Sequence, residues 1–142
     1  MQKKFDEWNK VKKEIHSACK NNSFFFHERE IWWCSLGINI GVEMDGKNNY
    51  FERPIVILKK FNSEMIWVLP LTTKHKNDSH FIPIHFNKGF SFVCLSQIRT
   101  ISSKRLFRKI GMISKQEFEQ VVQKIYEYIK IGPRISTKPS EA

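Results

Sequence analysis

The sequence is poor in acidic residues and contains no long apolar run. Its 142 residues include 14 Asp and Glu but 24 Lys and Arg, so the formal net charge is +10 at pH 7. This surplus predicts a polyanionic partner: nucleic acid, an acidic protein or an anionic membrane. The membrane is the weakest of these. No apolar stretch approaches the length of a spanning helix, and the amino end has no apolar core of the kind found in signal peptides.

Cysteine is also scarce. Cys19, Cys34 and Cys94 are odd in number, and none forms a CxxC pair with another. Together with the missing signal sequence, they predict a reduced, cytoplasmic chain with small buried thiols and no zinc ribbon.

Several catalytic motifs are missing as well. The chain has no HExxH, no GxSxG, no tight carboxylate cluster and no Gly-rich phosphate loop before a helix. His75, His80 and His85 lie five residues apart, so neighbouring ones would face opposite sides of a strand and would not form a ready metal pair. We therefore expect no metal or other cofactor, and chemistry on nucleoside triphosphates or acyl groups is disfavoured.

The dominant pattern in the sequence is a pair of apolar runs. Residues 54–60 and 64–71 predict two strands, and the polar residues 61–63 between them predict a turn. In the resulting hairpin, the start of the first strand lies beside the end of the second.

Polar chemistry should meet at one edge of this hairpin. Arg53 precedes the first strand, and Thr72 and Thr73 follow the second, so the pairing brings these side chains together. A guanidinium beside hydroxyl donors suits a phosphate group. The same residues are equally compatible with an ordinary surface arginine and a β-favouring threonine pair.

The rest of the chain predicts short strands between two helices. Residues 3–19 carry a helical apolar stripe, which comprises Phe5, Trp8, Val11, Ile15 and Cys19. Strands are expected at residues 29–35, 81–86, 90–96 and 109–113, with an extended segment at 97–101 and a basic crossover at 102–108. This order predicts a small, strongly bent antiparallel barrel.

The carboxyl-terminal part predicts a second helix and a tail. A capping box at residues 114–117 should open the helix. Its buried stripe should comprise Phe118, Val121, Val122, Ile125 and Ile129. Gly132 and Pro133 should end the helix, and residues 133–142 should be disordered.

A long polar loop, residues 37–52, precedes the hairpin and should lie over the edge that carries Arg53. Its acids include Glu43 and Asp45, and each suits either a general base or a solvated loop charge. In the strand before the loop, Trp32 and Trp33 must point to opposite faces. One should be core, and the other should cover a loop or offer a stacking surface for bases.

Phosphodiester transfer within RNA is compatible with these features. The substrate supplies its own nucleophile, the 2′-hydroxyl, so the protein needs only to orient it, move protons and stabilise the oxyanion.

Six short motifs follow one another along the chain: Glu30-Ile31-Trp32-Trp33, Gly41-Val42-Glu43, Arg53-Pro54, Pro70-Leu71-Thr72-Thr73, Leu95-Ser96-Gln97-Ile98-Arg99 and Lys109-Ile110-Gly111. In this order they resemble motifs of the MazF/PemK toxins of type II toxin–antitoxin systems. These are the family's G(D/E)IWW start, GSEQ-type loop, RP strand start, threonine-pair strand end, (D/E)Q(I/V)R segment and K-I-G sequence. The resemblance covers about residues 29–131.

The resemblance implies a mainly β fold with α. Residues 29–131 would form a small SH3-like antiparallel barrel with a C-terminal helix, preceded by an added N-terminal helical extension (1–28) and followed by a disordered tail (132–142). It also implies a homodimeric, metal-independent endoribonuclease that cleaves single-stranded RNA, including mRNA. An acidic, partly disordered antitoxin would inhibit it, and the two proteins would form a DNA-binding complex.

The resemblance also implies roles for single residues. Arg53 matches the catalytic arginine, which stabilises the phosphorane and can act as general acid. Thr72 matches the threonine that binds the scissile phosphate, and Glu43 matches a loop glutamate that could act as base. The remaining substrate-binding candidates are Thr73, Lys74, Gln97, Ser96, Lys47 and Arg99.

Three departures from the family pattern bear on these roles. Ser96 stands where many members have Asp or Glu, and a serine hydroxyl cannot act as base at neutral pH without its own activation, so the base is left open. Residues 46–51 lengthen the loop after Glu43. The extension at residues 1–28 is absent from compact members, and we expect it to form an added layer outside the active site.

Two other functions stay open. A catalytically degenerate barrel would only bind nucleic acid or antitoxin; Ser96 favours this reading, whereas Arg53 and Thr72 disfavour it. A purely structural barrel that binds a partner protein would not explain the net charge.

Overall fold

Within the residues that the structure describes, the fold combines seven strands with two α-helices. A computed structural model describes residues 2–19, 25–74 and 78–131. The elements are α1 (Phe5–Ser17), β1 (Glu30–Ser35), β2 (Glu52–Lys60), β3 (Met65–Thr72), β4 (Phe81–Phe86), β5 (Gly89–Cys94), β6 (Arg99–Ser102), β7 (Leu106–Met112) and α2 (Lys115–Ile129). Single 3₁₀ turns, Leu95–Gln97 and Ser103–Arg105, flank β6. The predictions for Gly132, Pro133, the tail and His75 fall outside the described residues.

The strands form one bent antiparallel sheet in the order β4-β5-β3-β2-β1-β7. β3 pairs with β2 along one side and divides its other side between two strands. Residues 65–68 pair with β6, and residues 71 and 72 pair with β5. This division bends the sheet, in keeping with the mainly β fold expected from the sequence. Among the described strands no pairing joins β7 to β4 or β6, so the sheet stays open.

Apolar side chains cover both faces of the sheet, because the bend encloses one core and α2 covers the other. Ile55 and Ile57 of β2 pack in a cluster with Trp32 and Leu106. The intervening residues of β2 pack in a second cluster that includes Val121 of α2. A strand buried on both faces is a continuous apolar run, which is why β2 is so evident in the sequence.

Ser114 caps the start of α2, and its Oγ accepts a hydrogen bond from Glu117 N at 3.1 Å. The capping box is nevertheless incomplete, because the Glu117 carboxylate instead accepts hydrogen bonds from His85 of β4. The apolar stripe of α2 that the sequence predicted to be buried is also wider than the stripe that the structure buries. Val121 is buried, but Val122 and Ile129 are 43% and 71% exposed, since α2 contacts the sheet over a narrow face.

α1 also buries less of its stripe than the sequence predicted. Trp8 is buried and Val11 is half-buried, whereas Phe5 and Cys19 are exposed. Trp8 packs against the Phe51 ring and the Arg105 guanidinium, so the face of α1 around Trp8 is the part that is best covered. Cys34 and Cys94 are buried as expected.

The last strand is longer than predicted. β7 begins at Leu106, not at residue 109. Leu106 is completely buried, and its side chain fixes the start of the strand inside the core. The basic crossover is accordingly reduced to the 3₁₀ turn Ser103–Arg105. No helix in the described ranges is long and apolar enough to span a membrane.

Candidate active site

A cavity of about 230 Å³ lies at the edge of the sheet where β2 begins and β3 ends. The β2–β3 register pairs Ile55 with Pro70, and the same register brings Arg53 opposite Thr72. Arg53, Thr72 and Thr73 all line the cavity, as the hairpin predicted. The other lining residues are Trp33, Lys47, Asn48, Glu52, Pro54, Leu71 and Ser91.

Backbone carbonyls hold the Arg53 guanidinium in place. Its Nε donates to Asp45 O at 2.6 Å, and its Nη1 donates to Leu71 O at 3.0 Å. Burial lowers the pKa of Arg53, and the negative charge of Asp45 opposes that shift only in part. The guanidinium is therefore a fixed and partly desolvated cation. Its other N–H groups donate to no residue within the described ranges, so an anion in the cavity can accept from them.

Thr72 adds a hydroxyl to the same wall. Its Oγ1 accepts a hydrogen bond from Lys74 N at 3.2 Å, so its proton is directed elsewhere and can be donated to a ligand. Lys47 and Asn48 line the cavity from the loop. Lys74 is exposed beyond the end of β3 and does not line it.

The sequence also predicted a role for the loop, and Gln97 is central to its structure. Gln97 Nε2 donates to Val42 O at 2.9 Å, and its Oε1 accepts from Met44 N at 3.0 Å. Both ends of the amide are thus used to hold the segment that carries Glu43. Glu43 itself is exposed, and its Oε1 accepts from Ile40 N at 3.0 Å. Neither Gln97 nor Glu43 lines the cavity.

Ser96 and Arg99 also lie away from the cavity wall. Ser96 is exposed, with Oγ 3.5 Å from Cys94 Sγ. Arg99 Nη1 donates to Leu36 O at 3.1 Å, and Arg105 Nη1 shares that carbonyl at 3.3 Å. Burial, reinforced by the charge of Arg99, lowers the pKa of Arg105. This arginine pair secures the point where β1 passes into the loop.

Six lining residues were not identified as site residues from the sequence: Trp33, Asn48, Glu52, Pro54, Leu71 and Ser91. Trp33 is half-buried, and the Arg108 guanidinium carbon lies 5.3 Å from its ring centroid. It is the indole that faces the site, whereas Trp32 is core. Ser91 is a buried serine of β5, and its only signal was a polar residue among apolar ones. Glu52 accepts from Asn48 Nδ2 at 3.1 Å; the sequence signal was an acid immediately before Arg53.

The described residues contain no group of three or more His, Cys, Asp or Glu side chains that could hold a metal ion. The cavity instead presents a guanidinium, a hydroxyl and an indole. These groups suit a phosphodiester with an adjacent base: the cation and hydroxyl address the phosphate oxygens, and the indole provides a stacking surface.

Several solved structures share this fold. MazF from Deinococcus radiodurans superposes with a TM-score of 0.61 at 14% identity, covering 77% of this chain and 100% of that one. A mycobacterial endoribonuclease solved with its cognate antitoxin gives 0.58 at 10% identity, covering 77% and 99%. The Mycobacterium tuberculosis toxin MazF-mt6 gives 0.52 at 19% identity, covering 70% and 94%. At these identities the likeness concerns the fold.

Sequence comparison identifies the family. No curated protein matches the chain, but residues 27–129 match the family of PemK-like, MazF-like toxins of type II toxin–antitoxin systems. This match covers well over half of the 142 residues and includes β1, the loop, the β2–β3 hairpin and α2. The chain therefore belongs to the PemK/MazF family of type II toxins.

Proposed function

We propose that this protein is a toxin endoribonuclease that cleaves single-stranded RNA, including mRNA in the cytoplasm, without a metal ion. The observation that carries the proposal is Arg53, held by two carbonyls beside Thr72 in a cavity of about 230 Å³. Family membership supports the same activity.

In the proposed reaction the 2′-oxygen attacks the adjacent phosphorus. The new 2′-O–P bond replaces the P–O5′ bond, which yields a 2′,3′-cyclic phosphate and a 5′-hydroxyl. Arg53 would stabilise the negative charge that develops on the phosphorane oxygens, and Thr72 would donate to one of them. The lowered pKa of Arg53 also makes its guanidinium a better acid than a free one, which favours proton donation to the leaving 5′-oxygen.

A base must take the 2′-hydroxyl proton, and two carboxylates are candidates. Glu43 is the loop acid that resembles the family's, yet it does not line the cavity. Glu52 does line it, next to Arg53. A base must come within hydrogen-bond reach of the proton it removes. Position therefore favours Glu52, while the family resemblance favours Glu43.

We also propose that an acidic antitoxin inhibits the enzyme. One of the solved structures is a MazE–MazF complex from Deinococcus radiodurans, with a TM-score of 0.56, and the +10 charge of this chain suits an acidic partner. The enzyme would act as a homodimer, for which the exposed apolar side chains of α2, such as Val122 and Ile129, offer contact surface.

The direct test is to incubate the purified protein with a long RNA in excess EDTA and to identify the product ends. We expect cleavage to persist, leaving 2′,3′-cyclic phosphates and 5′-hydroxyls. Loss of cleavage in the chelator, or 5′-phosphate ends, would identify a metal-dependent nuclease. RNA binding without any cleavage would identify the degenerate barrel.

A further inference from the structure

We propose that α1 and the residues before it position the active-site loop, with Lys3 and Trp8 as the positioning residues. The active-site loop is here residues 37–52, which joins β1 to β2 and supplies the carbonyl that holds Arg53. This inference rests on the proposed function, because it assigns the extension a part in RNA cleavage. The sequence predicted that the extension would lie outside the active site, but its contacts reach the loop directly.

Lys3 binds three points of the loop. Its Nζ donates to Asn39 O at 2.7 Å and to Gly41 O at 3.0 Å, and it lies 3.1 Å from Asp45 Oδ2. An ammonium has three N–H donors, so these contacts use all of them. The two side chains of the ion pair are each 25% exposed, which shields the pair partly from solvent. Lys3 thus fixes both arms of the segment that carries Glu43.

Asp45 connects Lys3 to Arg53. Its Oδ1 accepts from Asn39 N at 2.6 Å while its Oδ2 faces Lys3. Its backbone carbonyl accepts from Arg53 Nε at 2.6 Å. The position of this carbonyl depends on the contacts that the Asp45 carboxylate makes with Asn39 N and Lys3 Nζ. A short, continuous set of contacts therefore runs from the extension to the guanidinium.

Trp8 closes the base of the loop from the same side. Its ring lies 5.7 Å from that of Phe51 in an edge-to-face arrangement, and Gly37 N donates to Phe51 O where the chain enters and leaves the loop. A Cβ at Gly37 would lie 2.4 Å from Trp8 Cζ2, so the indole sits directly on the backbone. Gly37 has φ +86, a conformation that favours glycine, and it leaves the space that Trp8 fills.

The alternative is that α1 only stabilises the fold. The two roles differ in what they change. A helix that only stabilises the fold alters the melting temperature. A helix that positions the loop alters the order of the loop and the rate at which bound RNA is cleaved, without a change in melting temperature.

The experiment compares Lys3→Met and Lys3→Arg with Lys10→Met in the full chain. Lys10 is exposed on α1, and it makes no hydrogen bond or ion pair to any described residue. Lys10→Met therefore removes the same charge without touching the loop. Hydrogen exchange is followed at the amides of Asn39, Ile40 and Met44, and RNA cleavage is measured as kcat and KM separately.

Lys3→Met should speed exchange at these loop amides and leave the amides of β2 unchanged. It should lower kcat by about tenfold, because small displacements of catalytic groups are costly, and it should change KM no more than Lys10→Met does. Lys3→Arg should restore most of the rate, since a guanidinium can reach the same acceptors. A combined Lys3→Met, Asp45→Asn variant should lose little more than either single variant.

Unchanged loop exchange in Lys3→Met would overturn the proposal, and so would faster exchange at an unchanged kcat. The exchange measurement needs no RNA. If the wild-type protein failed to cleave RNA at all, the proposed function would fail, while the exchange data would still decide whether Lys3 orders the loop.

Discussion

At the scale of single residues, Arg53 depends on backbone carbonyls and not on an acidic partner. Asp45 O and Leu71 O fix the plane of the guanidinium, and no carboxylate of the described residues forms a salt bridge with it. A carboxylate would have neutralised the charge that a phosphate is meant to meet. Carbonyls fix the fork and leave it cationic, which is what phosphorane stabilisation requires.

The hydroxyl of Thr72 gives the first prediction. Thr72→Val keeps the shape of the side chain but removes the donor, and Thr72→Ser keeps the donor. Loss of a hydrogen bond to a charged group costs about 1.5–3 kcal/mol, so Thr72→Val should cut RNA roughly 10–100-fold more slowly and Thr72→Ser should stay close to wild type. Single-turnover cleavage rates measure this. Equal rates for Val and Ser would remove Thr72 from the phosphate site.

The base gives the second prediction. Glu52→Gln and Glu43→Gln each remove a carboxylate while keeping an oxygen that can accept from Asn48 or Ile40. Because Glu52 lines the cavity and Glu43 does not, Glu52→Gln should lower kcat by roughly 10²–10⁴. It should also abolish the increase of kcat with pH that accompanies deprotonation of the base. Glu43→Gln should have the smaller effect. The reverse order in pH–rate profiles would assign the base to Glu43 and show that the loop moves when RNA binds.

At the scale of elements, the hairpin was predictable and the support of the loop was not. β2 and β3 are continuous apolar runs separated by a polar turn, so local sequence determines both strands and the meeting of Arg53 with Thr72. The contact of Lys3 with Asp45 joins residues far apart in the chain. Nothing in the local sequence distinguishes Lys3 from the solvated lysines beside it.

The helices show the same limit. A period near 3.6 predicted α1 and α2 correctly, but it could not tell how much of each stripe the sheet would cover. Phe5 and Ile129 are apolar and in register, yet both are exposed. Whether these side chains are buried depends on which other elements pack against the helix, and the spacing of apolar residues within the helix does not reveal this.

The β1–β7 pair contains a buried acid, Glu30, and gives the third prediction. Burial raises its pKa, but hydrogen bonds from Trp32 Nε1 and His27 N and the charge of Lys109 outweigh that effect and hold the pKa below its ordinary value of 4.5. A depressed carboxyl pKa stabilises the fold above the unfolded-state value, and that stabilisation is lost as the pH falls through the folded-state value.

Glu30→Gln should therefore lower the free energy of unfolding by about 1–3 kcal/mol at pH 7, and by progressively less as the pH falls through the folded-state pKa of the wild-type carboxyl. Urea unfolding over a series of pH values from 7 downward measures the difference. Glu64→Gln, at an exposed acid on the β2–β3 turn, is the control and should change little. A cost for Glu30→Gln that is independent of pH would contradict the assigned contacts.

At the scale of the whole molecule, the net charge of +10 predicts that RNA and an acidic segment compete for one basic face, which gives the fourth prediction. The cationic groups that the sequence predicts there are Lys47, Lys74, Lys76, Arg99, Lys104, Arg105 and Arg108. Lys76 is outside the described residues, and Arg99 and Arg105 instead donate to the Leu36 carbonyl. Salt weakens both interactions through screening and counterion release. A polyglutamate peptide should raise KM without changing kcat, and less so as salt increases.

A glycine–serine peptide of equal length is the control and should not inhibit. A stable complex containing protein, acidic peptide and uncleaved RNA at physiological salt would show two separate binding faces and contradict the competition.

The most direct measurement of the central claim is RNA cleavage by Arg53 variants at saturating RNA. Arg53→Ala should be slower by roughly 10²–10³, and Arg53→Lys should recover little, because an ammonium cannot bind both carbonyls and still present a planar fork. Lys115→Ala, which removes a charge at the start of α2, should cleave normally. An Arg53→Ala protein that cuts RNA within a few-fold of wild type would contradict the account.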